Sequence, residues 1–137
     1  MPLDPIRVAD TRAWLVKMSK DVRGAEIDLA AEPPLLEDVM FHCQQAVEKA
    51  LKAFLTWHDY RFRKTHDLVE VGGQCVGIDP TLEPLLKRAA PLTEYAWKFR
   101  YPGEVPEPTK PEAEDALALT REVINAIFAR LPNEVRP

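Results

Sequence analysis

The sequence contains little that would support a secreted, membrane-spanning or metal-centred protein. Only two cysteines, Cys43 and Cys75, occur in 137 residues, and neither lies at zinc-finger spacing from another cysteine or a histidine. Asp4 and Arg7 interrupt the start of the chain, where a signal peptide would be apolar. No apolar run reaches the ~20 residues that a membrane-spanning helix needs. We therefore expect a cytoplasmic protein with reduced thiols, no membrane segment, and no metal or other cofactor.

A surplus of basic charge is also missing. The chain carries 18 basic and 22 acidic side chains, for a net charge of −4. Contact with nucleic acid would therefore need a local basic patch, because the molecule as a whole does not attract polyanions. The length and the hydrophobic content of 46% suit one globular domain over residues 1–137.

Apolar residues recur at helical spacing along almost the whole chain, and alternation with a period of two appears nowhere at length. The spacing predicts five helices, at approximately residues 10–31, 36–57, 66–75, 80–100 and 110–131. Short connections between such helices favour an all-α, antiparallel up-and-down bundle of four to five helices.

Polar residues and prolines mark the ends of these helices. We expect Asp10 to cap the first helix and Thr65 to cap the third. Thr109 and Glu112 have the spacing of a capping box at the start of the last helix. Pro91 should kink or split the fourth helix, because proline breaks the hydrogen-bonding pattern of a helix interior.

The second helix has two contrasting faces. Its apolar face, which should lie in the core, contains Met40, Cys43, Val47, Ala50, Leu51 and Phe54. A polar stripe lies on the opposite side, with two further polar residues on its flank: His42, Gln45, Lys49, Lys52 and Thr56, flanked by Gln44 and Glu48. Such a stripe is most often a solvated surface. It could also line a cleft or a seam of self-association.

Three segments together resemble the HEPN domain family. They are FHCQQAVEKALKAFL at residues 41–55, KTHDL at 64–68 and FRYPG at 99–103. The resemblance extends from Trp14 to the last helix. It implies a helical bundle that self-associates as a homodimer and binds nucleotides or RNA. It also implies a minimal nucleotidyltransferase as partner, often in a toxin–antitoxin pair.

The candidate binding residues lie in three places. Lys98, Arg100 and Tyr101 lie where the fourth helix meets a proline-rich loop. There the two cations could bind phosphate, and the tyrosine ring could contact a base. Arg63 and Lys64 precede the third helix, whose positive end suits an anion. The polar stripe of the second helix contributes three further candidates: His42, Gln45 and Lys49.

A ribonuclease is the alternative enzymatic interpretation. Metal-independent nucleases of this family use an arginine followed by a histidine, because histidine moves protons near neutral pH and arginine grips phosphate. Arg61 and His66 have this spacing. In family members that cleave RNA, however, the motif lies before the final helix, and no histidine follows Arg100 here.

The sequence thus favours a module that binds nucleotide or RNA phosphate beside a nucleotidyltransferase. A ribonuclease toxin using Arg61 and His66 and a dimeric protein that serves interaction alone are the two alternatives.

Overall fold

The computed structural model describes residues 2–99, 101–103 and 106–137. Within these residues every regular element is helical and no strand occurs, which confirms the predicted all-α class. The five α-helices are α1 (Pro5–Ala30), α2 (Leu36–Trp57), α3 (Leu68–Ile78), α4 (Glu83–Ala89) and α5 (Lys110–Phe128). Short 3-10 turns cover Pro80–Leu82, Ala90–Ala96 and Asn133–Val135.

Helix α2 is the centre of the bundle. It packs against α1, α3, α5 and the 3-10 segment Ala90–Ala96. The face predicted to be apolar is buried, which confirms that part of the helical wheel; its members are Met40, Cys43, Val47, Ala50, Leu51 and Phe54. Because neighbours surround α2, its polar residues must also find partners inside the protein.

Two long-range contacts fix the direction of α5 relative to α1. Arg121 donates to Glu26 over 3.1 Å, and Arg12 donates to the carbonyl of Arg136 over 3.0 Å. Arg121 of α5 thus lies beside the end of α1, and the chain that follows α5 lies beside the start of α1, so the two helices are antiparallel. Helix α2 also runs antiparallel to α1, to which a short loop connects it.

Two helix starts differ from the prediction. Helix α1 begins at Pro5 because Asp4 accepts from the amide of Ile6 over 3.0 Å, so Asp10 is not its cap. Helix α3 begins at Leu68, capped by Asp67. Asp67 reaches the Val69 amide over 2.9 Å and displaces the predicted cap, Thr65.

The other two end signals are confirmed. Thr109 and Glu112 form a reciprocal capping box at the start of α5. Helix α4 ends at Ala89, and a 3-10 segment continues through Pro91 to Ala96. The fourth predicted helix is therefore split, which shortens α4 and leaves residues 97–99 and 101–103 outside any helix.

Candidate functional site

The first polar cluster lies in the seam between α1 and α2. Asp21 of α1 accepts a hydrogen bond from the ammonium of Lys49 and another from Nδ1 of His42, the latter over 3.0 Å. Nε2 of His42 lies 3.6 Å from Asp28. The expectation of a solvated stripe is therefore wrong: α1 covers this face and supplies carboxylates to its cations. We call Asp21, His42 and Lys49 the Asp21 cluster.

The helices approach closely at this seam because Gly24 has no side chain. A Cβ placed on Gly24 would lie 3.0 Å from Nε2 of His42. Gln45, the third predicted binding residue of the stripe, donates to Oε1 of Gln44 over 2.6 Å. His42, Gln45 and Lys49 are thus all engaged with other side chains of the same chain.

A second polar cluster lies deeper in α2. Gln44, Glu48 and Lys52, which we call the Glu48 cluster, are 0%, 3% and 5% exposed. Glu48 accepts from Lys52 over 3.1 Å and from Gln44 over 3.3 Å. The ammonium of Lys52 also lies 5.5 Å from the ring of Trp14 and 5.6 Å from that of Phe62. Pairing and hydrogen bonding offset the cost of burying these charges.

The Glu48 cluster makes three polar contacts with the segment before α3. Gln44 donates to the carbonyl of His66 and Lys52 to that of Thr65, each over 2.9 Å. Nδ1 of His66 lies 2.7 Å from Oε1 of Glu48. The imidazole is nevertheless 69% exposed. One edge of the ring is therefore anchored in the protein while most of the ring faces solvent.

The first amides at the positive end of α3 already have partners within the protein. Thr65 accepts from the amide of Asp67 over 3.1 Å, Asp67 from that of Val69 over 2.9 Å, and Thr93 from that of Leu68 over 2.9 Å. The carboxylate of Asp67 stands where an anion would bind. An anion at this helix end would therefore be bound by side chains such as those of Arg63 and Lys64, and the predicted anion site stays a prediction.

The hydrogen bond between Leu68 and Thr93 joins two segments that are distant in the sequence. Thr93 belongs to the 3-10 segment that leads directly to Lys98 and Tyr101. We group five residues on either side of this junction as the His66 surface. Lys98 is half-buried and the other four are exposed: Arg61, Lys64, His66 and Tyr101.

Cations of the His66 surface differ in their availability. Arg61 and Lys64 are exposed and make no hydrogen bond or ion pair with any described residue. Lys98 lies 3.6 Å from Glu94, a loose pair at the surface. Arg63, by contrast, donates through Nε to both oxygens of Glu70, over 2.7 and 2.9 Å.

Aromatic rings are exposed beside Lys98. Tyr101 is 74% exposed and Trp97 is 58% exposed. Large exposed rings next to cations can stack on bases that are not paired. Trp97 was not among the predicted site residues. Arg100, predicted to bind phosphate, lies outside the described residues.

Sequence reasoning missed the burial of the Glu48 cluster and the role of Asp21. Gln44, Glu48 and Lys52 follow one another at intervals of four, so they lie on one strip of α2. That spacing was visible in the sequence. What it did not reveal is that a loop segment, and not solvent, covers the strip.

Neither cysteine is suited to nucleophilic chemistry. Burial raises the pKa of Cys43 to about 11 and the pKa of Cys75 to about 12, so both thiols stay protonated at neutral pH. Across residues 2–99, 101–103 and 106–137, no three histidine, cysteine or acidic side chains are grouped so that they could bind a metal ion. The helices in this part of the chain are also too short or too polar to cross a bilayer.

Comparison with known proteins supports the resemblance seen in the motifs. The family model of the HEPN domain matches residues 11–131, which is most of the chain. No curated protein and no solved structure gives a significant match. The matched residues include α2, α5, the segment held by the Glu48 cluster and the greater part of α1. The chain therefore belongs to the HEPN domain family.

Proposed function

We propose that this HEPN domain binds the phosphate groups of a nucleotide or of single-stranded RNA on the His66 surface. The observation that carries the proposal is the imidazole of His66, which is anchored at Nδ1 and otherwise exposed. Arg61 and Lys64 add two cations without a described partner. Such side chains bind phosphate by charge-assisted hydrogen bonds.

The second half of the proposed surface supplies stacking. Tyr101 and Trp97 are exposed rings beside Lys98, and aromatic side chains bind unpaired bases by stacking. Arg100 stands between Lys98 and Tyr101 in the sequence, so we assign it to phosphate. The net charge of −4 means that this local patch, and not the whole molecule, must attract the ligand.

A binding titration tests this proposal. A labelled single-stranded RNA and labelled ATP would be titrated with the protein, and anisotropy recorded at several salt concentrations. We expect binding that weakens with salt. Arg100→Ala should weaken it by about 1.5–3 kcal/mol, whereas Arg121→Ala, on the α1–α5 side, should not. Absence of binding to both ligands would refute the proposal.

The pair of His66 and Glu48 also favours a second candidate, a metal-independent ribonuclease. His66 would take the proton of a ribose 2′-hydroxyl through Nε2, the 2′-oxygen would attack phosphorus, and the 5′-oxygen would leave with a proton from water. Arg61 would hold the phosphate. RNA cleaved to cyclic-phosphate ends by the native protein, but not by His66→Ala, would establish this activity.

Family membership extends the proposal to partners. We propose that the domain forms a homodimer, acts in the cytoplasm and pairs with a minimal nucleotidyltransferase in a toxin–antitoxin system. Light scattering should then give a mass above that of the 15.6 kDa chain, and a nucleotidyltransferase encoded beside it should co-purify with it. A monomer that captures no such protein would leave a binding module without the paired system.

A further inference from the structure

Helix α1 carries a local surplus of positive charge on a chain that is acidic as a whole. Residues 11–25 contain a single acid, Asp21, and four cations: Arg12, Lys17, Lys20 and Arg23. Asp21 is buried, and its carboxylate already accepts hydrogen bonds from the other two members of the Asp21 cluster. The positive charge on this part of α1 is therefore not balanced by its own helix.

Three of these cations form a ridge on the surface of α1. Lys17, Lys20 and Arg23 are exposed and make no hydrogen bond or ion pair with any residue that the structure describes. Residues three apart in a helix are neighbours on its surface, with Cβ atoms about 5–6 Å apart. Trp14 precedes Lys17 by the same interval, so the ring of Trp14 stands at one end of the row. We call Lys17, Lys20 and Arg23 the α1 ridge.

The α1 ridge begins beside the loop that carries the His66 surface. The ring of Trp14 lies 5.9 Å from the ring of Phe62, edge to face, and Phe62 directly follows Arg61 in the chain. The ammonium of Lys52 lies 5.5 Å from the first ring and 5.6 Å from the second, which ties this junction to the buried Glu48 cluster. The free cations of the loop and those of α1 therefore flank the same pair of rings.

The extent of this positive surface distinguishes between a nucleotide and a strand. From Trp14 to Arg23 the row runs about 14 Å along the helix axis, further than the phosphates of one nucleotide extend. A single strand repeats its phosphates along a flexible backbone, so successive phosphates can meet successive cations. Positive tracks that follow the backbone are the usual means of binding single strands without regard to sequence.

We infer that the α1 ridge extends the His66 surface into a track for single-stranded RNA, so that the ligand is a strand of several nucleotides and not a free nucleotide. This inference rests on the proposed function and specifies the ligand of the same surface. The His66 surface binds one part of the strand, and the ridge binds the phosphates that continue from it. Each phosphate contact releases counterions, so the ridge adds affinity and salt dependence together.

The test uses two labelled ligands, an RNA strand of about 12 nucleotides and ATP, with the double variant Lys17→Ala, Lys20→Ala. We expect the variant to bind the strand about tenfold more weakly than native protein, from the loss of two charged contacts. The slope of log affinity against log salt should fall by about 0.7 for each lost contact. ATP, which occupies the His66 surface alone, should bind to both proteins with equal affinity.

The double variant Arg88→Ala, Arg121→Ala is the control matched in charge. It also removes two exposed cations, but these pair with Glu122 and Glu26 and lie against α5. Its affinity for the strand should stay within about twofold of the native value, because these pairs contribute little at the surface. A loss as large as that of the ridge variant would make net charge, and not the ridge, the cause and would overturn the inference.

The remaining outcomes separate the inference from the proposed function. Unchanged affinity of the ridge variant for the strand would overturn the inference and leave the His66 surface as the whole site. This result is also expected if the ridge serves an acidic protein instead. An equal loss for ATP and for the strand would show that the ridge does not select for length. Failure of native protein to bind either ligand would refute the proposed function itself.

Discussion

Helix α2 carries two polar clusters that use similar side chains for different ends. In the Asp21 cluster, a histidine and a lysine of α2 converge on one carboxylate of α1, and their partners lie within a helix–helix seam. In the Glu48 cluster, Glu48 and Lys52 of α2 pair with each other and contact the loop before α3. The histidine that contacts Glu48, His66, belongs to that loop. The first cluster joins two rigid helices. The second holds a segment without regular structure against the core.

The two histidines differ accordingly. His42 is covered on both ring nitrogens, with Asp21 at Nδ1 and Asp28 near Nε2, and its side chain is 29% exposed. His66 has a carboxylate at Nδ1 only and is 69% exposed. A buried carboxylate can thus hold a histidine for structure alone, as Asp21 does, or hold one that is free to bind a ligand, as we propose for Glu48. What separates the two roles is whether the partner leaves an edge of the ring open.

The largest effect should come from breaking the Glu48 cluster. Glu48→Ala leaves the ammonium of Lys52 buried without its carboxylate, which should cost about 3–5 kcal/mol in the free energy of unfolding. Asp21→Ala should cost less, about 1–3 kcal/mol, because Lys49 and His42 can reach water. Urea denaturation measures both. A larger loss in Asp21→Ala would reverse the proposed ranking of the clusters.

The close approach of α1 and α2 at the Asp21 cluster gives the next prediction. Gly24→Ala places a methyl group 3.0 Å from the ring of His42, and overpacking of this kind costs about 1–3 kcal/mol.

Gly73→Ala is its matched control. Gly73 is also helical, but an added Cβ would meet no atom within 4 Å. The control should gain about 0.5–1 kcal/mol, the advantage of alanine over glycine in a helix. Equal effects of the two substitutions in thermal unfolding would show that the seam tolerates a separation of α1 from α2.

Replacing the exposed histidine should separate stability from binding. His66→Ala removes one surface-facing hydrogen bond of Glu48, whose pairing with Lys52 persists. The free energy of unfolding should change by no more than about 1 kcal/mol, while affinity for RNA falls. A loss of stability as large as that of Glu48→Ala would make His66 a structural residue like His42.

The smallest effect is expected at the thiols, which lie outside both clusters. Burial raises the pKa of Cys43 to about 11 and that of Cys75 to about 12, and the thiolate is the reactive form. Folded protein at pH 8 should therefore react with a thiol reagent far more slowly than protein unfolded in urea. Rapid labelling of folded protein would indicate that α2 or α3 opens readily.

The sequence predicted the class of fold well and the site only in outline. The apolar face of α2 could be predicted because hydrophobic periodicity depends on local spacing. The burial of Glu48 and Lys52 could not, since it depends on which distant segment covers them. The cap of α3 was misassigned to Thr65 because Thr65 and Asp67 are both good caps. Only the structure gives Asp67 the bond to Val69.

The central claim is that the Glu48 cluster holds His66 with Nδ1 inward and Nε2 outward. Nitrogen-15 NMR of the three histidine side chains in ligand-free protein tests it most directly, with His66→Ala identifying the signal. In the pH range where His66 is neutral, we predict the tautomer protonated at Nδ1. Free histidine in water prefers the opposite tautomer, so solvent exposure alone would not produce this result. A neutral His66 protonated at Nε2 would contradict the account, because that ring could not donate to Glu48.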